Sequence, residues 1–323
     1  MTAYGYSLMC ELHHPNDLLE QARLAEEAGF DFLTISDHIH PWLYSHHHSP
    51  FAWSVLGALA AGTEQVELVS LVTCPIVRYH PVIVAQMSAT VASMSGGRFR
   101  LGVGAGENLN EHVTGRPWPP VHVRHEMLAE AIGIIRALHG GGYRSLESRH
   151  YTVNDARIFT LPEQPVPIYV AASGPAALRI ATELGDGYIN TEPRADLVDG
   201  FRSAVPDGPV MGQMAVSVDD DADRALKTAH DRFRFAVPGW KVQSELPNPK
   251  NFEAATSSVR PEDMAGIVPC GTDTDAYAEA VDRWLEAGYD HLALAPVGDP
   301  GRFFEFWRAE LGPALRERQP ARA

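Results

Sequence analysis

The chain has 323 residues, 45% hydrophobic and 21% charged, with a formal net charge of −15 at pH 7. That length and apolar share suit one large core of (β/α)8-barrel size, while the acidic excess excludes the positive field that bulk nucleic-acid or anionic-membrane binding needs. Three widely spaced cysteines, Cys10, Cys74 and Cys270, exclude a disulfide framework and a structural zinc motif.

Strand-like and helix-like patterns then alternate along the chain. An apolar strand over 4–9 leads to a helix over 16–30, which Asn16 caps and Gly29 closes, with Leu18, Ala22, Ala25 and Ala28 on one face. A second strand, 32–35, ends in a loop rich in His and Pro, and a helix follows over 52–61. The run 66–74 is nearly continuous in β-branched and apolar residues, as a strand buried on both faces requires. A helix over 81–95 stops at Gly96-Gly97, and a fourth strand, 99–103, precedes a helix over 125–139. Strands over 166–172 and 187–190 flank a helix over 175–184. The last strands are 210–218 and 291–295, with a helix over 274–287 between them and a final one over 302–311. Asp219-Asp220-Asp221 reads as an N-cap with an acidic first turn.

This alternation predicts one α/β domain over 1–323, a (β/α)8 TIM barrel. A doubly wound sheet is the alternative, but the first strand lacks the Gly-x-Gly-x-x-Gly turn that such folds favour. The proline-rich stretch 233–263 breaks the rhythm and is expected to be an insertion over the C-terminal barrel mouth, as a lid or substrate wall. The N-terminus has no signal-peptide pattern and no apolar run reaches bilayer length, so a cytoplasmic protein without membrane or nucleic-acid partners is expected. His46-His47-His48 is read as a polar pocket rim, and no metal is expected.

Two strand ends carry the chemistry. Ser36-Asp37-His38-Ile39-His40-Pro41-Trp42 follows the second strand, and Gly104-Ala105-Gly106-Glu107-Asn108-Leu109-Asn110 the fourth. Parallel barrels build active sites at those ends. An Asp, a His, a Trp and a Glu converging there are suited to moving protons beside a flat ligand.

The same segments, with Arg78-Tyr79-His80-Pro81, 171–191 and 288–296, resemble the coenzyme F420-dependent branch of the luciferase-like superfamily, in particular its glucose-6-phosphate dehydrogenase group. The resemblance implies a luciferase-like barrel, usually a homodimer, that binds an 8-hydroxy-5-deazaflavin, and a non-proline cis peptide at Leu71-Val72. It places the catalytic residues at His38, Trp42 and Glu107, and the coenzyme contacts at Asp37, Cys74, Asn110, Ser173, Gly174 and Ala176. Thr191, Arg194 and Lys241 fall where that group grips a substrate phosphate; a third cation is replaced by Ala265-Gly266-Ile267-Val268.

The expected reaction moves a hydride between a CH–OH substrate, such as a sugar phosphate or another alcohol, and C5 of the coenzyme. His38 is the expected base, because an imidazole titrates near neutral pH. Glu107 is expected beside N1, with a pKa raised by burial. Trp42 walls the pocket and favours a charged imidazole by cation–π contact. Asp37 either binds the coenzyme or orients His38, and the helix start at Ser173-Gly174-Pro175 receives a phosphate. The alternatives are a reductase of a carbonyl or enone, an FMN-dependent monooxygenase of the same superfamily, and a coenzyme carrier without turnover.

Overall fold

The computed structural model describes residues 2–318. Strands β1 (Ala3–Leu8), β2 (Phe32–Ile35), β3 (Glu67–Ser70) and β4 (Phe99–Val103) are followed by a hairpin, β5 (Arg144–Glu147) and β6 (Thr152–Ala156). Next come β7 (Ile168–Ala171), β8 (Gly187–Asn190), β9 (Val210–Val216) and β10 (His291–Pro296). Among the described residues, the strands outside the hairpin pair in parallel in the order β1-β2-β3-β4-β7-β8-β9-β10 and close on β1. The fold is the (β/α)8 barrel that the alternation predicts. No helix among the described residues is long and apolar enough to cross a membrane.

The barrel interior changes character along its axis. Phe32, Val69, Tyr169, Ile189, Met211 and Ala293, from six different strands, meet in an apolar plug. Gly102 belongs to the same wall, where a Cβ would come within 2.0 Å of the Ser70 carbonyl oxygen. Toward the C-terminal ends the lining turns polar: Ser7 and Thr34 hydroxyls are 2.7 Å apart, and Gln213 donates to Ser7 at 3.1 Å. Opposite faces of the same strands pack on the helices, with Tyr6 stacked on Phe304 at 4.8 Å, as the two-sided burial of parallel strands requires.

Several boundaries differ from expectation for local reasons. The first helix begins at Pro15, which suits an N1 position, and His14 rather than Asn16 is the cap, its Nδ1 accepting from the Asn16 N–H. The third strand is shorter than 66–74: its ladder ends at Ser70, the Leu71–Val72 peptide is cis, and Thr73 rejoins Val103 by one bridge. Asp221 caps the helix Ala222–Phe233 by accepting from Asp223 and Arg224 N–H groups. Beyond that helix, Phe235 and Phe252 cluster with Trp42, Leu43 and Leu109, so residues 234–264 lie against the loops that leave β2 and β4.

Candidate active site

His38 stands between two carboxylates from different strand ends. Its Nδ1 lies 2.5 Å from Glu11 Oε1, just past β1, and its Nε2 lies 3.2 Å from Glu107 Oε1, just past β4. The Nδ1 contact is off the line of a good hydrogen bond, so the attraction is mainly between charges. Ser36 donates its hydroxyl to Glu11 Oε2 at 2.9 Å and accepts the Cys10 N–H at 3.1 Å, fixing the new carboxylate against β2. Asn110 donates to Glu107 Oε1 at 2.6 Å, and its Oδ1 accepts the Ile39 and His40 N–H groups at 2.7 and 3.0 Å. One amide thereby sets both the Glu107 side chain and the loop after His38.

The electrostatics follow from burial and pairing. Burial opposes the imidazolium of His38, but the Glu11 charge and the Glu107 contact outweigh it and raise the pKa to about 10. Burial would likewise raise Glu11, yet the His38 charge brings it down to about 2. Glu107 is held below the usual carboxylate range in the same way: burial pushes up, and hydrogen bonding and charge from His38, with Asn110, pull further down. These directions correct two expectations. In this arrangement His38 is an imidazolium at neutral pH, and Glu107 is a carboxylate, not a buried acid.

Asp37 is a structural hub. Its Oδ1 accepts from Arg78 Nη2 at 3.0 Å and the Tyr79 hydroxyl at 3.1 Å; its Oδ2 accepts from Thr73 at 2.8 Å and Trp53 Nε1 at 3.2 Å. A carboxylate has about four lone-pair sites, and protein donors occupy them. Among the described residues its side-chain partners are these four donors, and His38 is not one of them. Trp42, expected to wall the pocket, packs on the candidate base: its ring meets His38 edge to face at 4.8 Å and stacks on Phe235 at 4.8 Å.

Behind this centre lies Glu111, buried, its Oε2 accepting the Val77 and Arg78 N–H groups at 3.1 and 2.7 Å. Burial raises its pKa to about 7, opposed by Arg78 and assisted by Glu107. A carboxyl whose folded pKa exceeds its unfolded value keeps a proton that the unfolded chain has released. Stability therefore falls as pH rises from about 4.5 to about 7. Relative to the parent, Glu111→Gln should gain about 2–4 kcal/mol between those limits in urea unfolding. Parallel stability profiles for the two proteins would remove this assignment.

Residues 3–291 match the family model described as luciferase-like monooxygenase. The chain belongs to that family. This luciferase-like protein is 36% identical over 333 residues to the F420-dependent glucose-6-phosphate dehydrogenase of Beutenbergia cavernae, with 99% of each chain covered. It is 37% identical to the enzyme of the same name from Microbacterium testaceum, with 98% of each covered. Among solved structures, an F420-dependent secondary alcohol dehydrogenase in complex with an F420–acetone adduct superposes with a TM-score of 0.90 at 30% identity, covering 98% of this chain and 99% of that one.

The remaining predicted residues of this luciferase-like barrel fall around the mouth. Cys74, past β3, is buried, and its Cβ is 3.4 Å from where a side chain on Gly106 would start. Burial, then the Glu107 and Glu111 charges, hold it as a thiol. Ser173, Gly174 and Ala176 open the helix Pro175–Leu184 after β7; Ser173 and Ala176 are exposed, and nothing lies within 4 Å of a Cβ on Gly174. Thr191 and Arg194 follow β8, but Arg194 is engaged by Asp196 through two bonds of 2.9 and 2.8 Å. Lys241 is exposed on the short helix Trp240–Gln243. Glu11 is the residue that sequence reading missed. Its signal was position alone, a carboxylate just beyond the C-terminal end of β1.

Proposed function

We propose that this chain is a coenzyme F420-dependent oxidoreductase that moves a hydride between a CH–OH carbon and the coenzyme. The observation that carries this reading is the His38 imidazole held between Glu11 and Glu107 at the barrel mouth, in a chain similar over nearly its whole length to enzymes of that kind. The residues present fit a deazaflavin. The helix start at Ser173 to Ala176 offers backbone N–H groups and open space to a phosphate, and the partly buried Leu71, Val72 and Ala171 give an apolar bed above the plug. Bound there, F420 supplies the two-electron acceptor or donor at C5.

This chain's own residues manage the proton. In carbonyl reduction, His38 as an imidazolium donates to the oxygen as the carbon gains hydride. In alcohol oxidation the neutral ring takes the hydroxyl proton at Nε2, so oxidation needs prior loss of the proton that Glu11 and Glu107 retain. Glu107 acts as the anion that steadies this cation, and Trp42, pinned by Phe235, excludes water from its face. The pairing of Arg194 with Asp196 and the lack of a cation over 265–268 favour an uncharged carbinol over a sugar phosphate. Anaerobic mixing with oxidised F420, followed by its visible absorbance, tests the reading with a simple secondary alcohol, glucose-6-phosphate and, for reduced F420, a ketone. Bleaching by the alcohol is expected. Absence of F420 binding, with FMN-dependent oxygen uptake instead, would turn the assignment to a monooxygenase.

We further propose a cytoplasmic homodimer. The three cysteines are free. The adjacent helices Ala52–Gly62 and Pro81–Met94 contain no Asp, Glu, Lys or Arg, although an outer barrel helix normally turns a charged face to water. Ile83 and Met94 are about half exposed on the second of them. The double change Ile83→Glu with Met94→Glu should convert a dimer to monomers in light scattering; an unchanged mass would move the interface elsewhere.

A further inference from the structure

The two residues flanking Glu107 are tied to opposite halves of one clasp. On one side, the Gly106 carbonyl accepts from Arg124 Nη1 at 3.3 Å. On the other, the Asn108 N–H donates to the Ser244 carbonyl at 2.9 Å, and Asn108 Nδ2 to the Glu245 carbonyl at 3.1 Å. The clasp closes between them. Arg124 Nη2 lies 2.5 Å from Glu245 Oε1, and Trp118 Nε1 donates to Glu245 Oε2 at 3.1 Å. The Arg124 guanidinium, 3% exposed, also sits 4.2 Å above the Trp118 ring. Gly106 itself has φ +75°, a joint that a side chain adopts only with strain.

Resting on the oxidoreductase reading, we propose that Arg124 and Glu245 form a latch that couples seating of the 234–264 segment to placement of Glu107, making both positioning residues for the reaction. The segment reaches the site at two points: Phe235 and Phe252 brace Trp42 beside His38, and Ser244-Glu245 brace the Glu107 loop. With the latch closed, the 3.2 Å approach of Glu107 to His38 is fixed from outside the catalytic residues themselves. With it open, the glycine joint frees Glu107 to move away. Neither Arg124 nor Glu245 touches His38, so their action passes through the backbone on either side of Glu107.

Glu245→Ala tests the latch, because the Glu245 side chain is half exposed and its loss leaves the barrel core intact. Amide hydrogen exchange over 104–111 and 240–248 should rise about tenfold or more, with the barrel strands unchanged. The rate constant for hydride transfer should fall about 10- to 100-fold, with a smaller change in KM for the alcohol. Unchanged exchange over 104–111 overturns the proposal. Loss of turnover without an exchange response also overturns it, since Glu245 would then act at the substrate. Parent and variant both inactive on every alcohol, with the exchange response present, would retain the latch and remove the oxidoreductase reading.

Discussion

Replacing His38 with alanine is expected to lower the hydride-transfer rate from a secondary alcohol by about 10²- to 10⁴-fold, the range of a positioned acid–base group. Coenzyme affinity should stay near that of the parent. His38 sits between Glu11 and Glu107 at the ends of β1, β2 and β4, whereas the coenzyme contacts assigned to Ser173, Gly174 and Ala176 lie on another strand end. Removing the ring also leaves Glu11 and Glu107 buried without their shared cation. The rate loss should therefore come with a rise in both carboxyl pKa values. Anaerobic single-turnover bleaching of F420, with affinity from fluorescence titration, separates the two effects. Equal rates in variant and parent would sink His38 as the acid–base group.

The second large effect belongs to Glu11→Gln. Among the influences that raise His38, the Glu11 charge is the largest, and burial pulls the other way. Without that charge the His38 ionisation should fall from about 10 into the neutral range or below. Oxidation needs the neutral ring, so kcat/KM for the alcohol should rise with pH in the parent up to the alkaline limb. In the variant it should level off by neutral pH. Reduction of a ketone needs the cation and should show the mirror image, falling as pH climbs through the same ionisation. Stability moves with it: His38 holds its proton more tightly folded than unfolded, so its contribution is full below about pH 6.5 and fades toward about 10. Superimposable pH profiles for the two proteins would assign the ionisation to another group.

Sequence reading went furthest where local chemistry decides the structure. The strand 99–103 and the helix 175–184 were placed to the residue, because the Gly96-Gly97 stop ahead of a mostly apolar run and Gly-Pro punctuation mark their starts. The hairpin at Arg144–Ala156 was invisible. Its strands are largely exposed and polar, Arg-Ser-Leu-Glu and Thr-Val-Asn-Asp-Ala, so no alternation of buried and exposed positions announces them. The helix Ala195–Ala204 was missed as well. At the site, His38, Trp42 and Glu107 were legible as motifs, yet the charge on His38 was not. It depends on Glu11, 27 residues earlier, which only the pairing of β1 with β2 brings alongside. The partners of Asp37 were hidden for the same reason: they come from Trp53, Thr73, Arg78 and Tyr79, and adjacency to His38 in the chain said nothing of them.

The apolar plug has a bearing on proton traffic. Below it, Glu67 and Arg100 pair at 2.5 Å near the opposite end of the barrel. Above it, Ser7, Thr34 and Gln213 lead up to Ser36, Glu11 and His38. Phe32, Val69, Ile189, Met211 and the ring of Tyr169 lie between the two. The acid–base groups Glu11, His38 and Glu107 all stand on one side of that plug, so the two halves of the barrel interior serve separate polar networks.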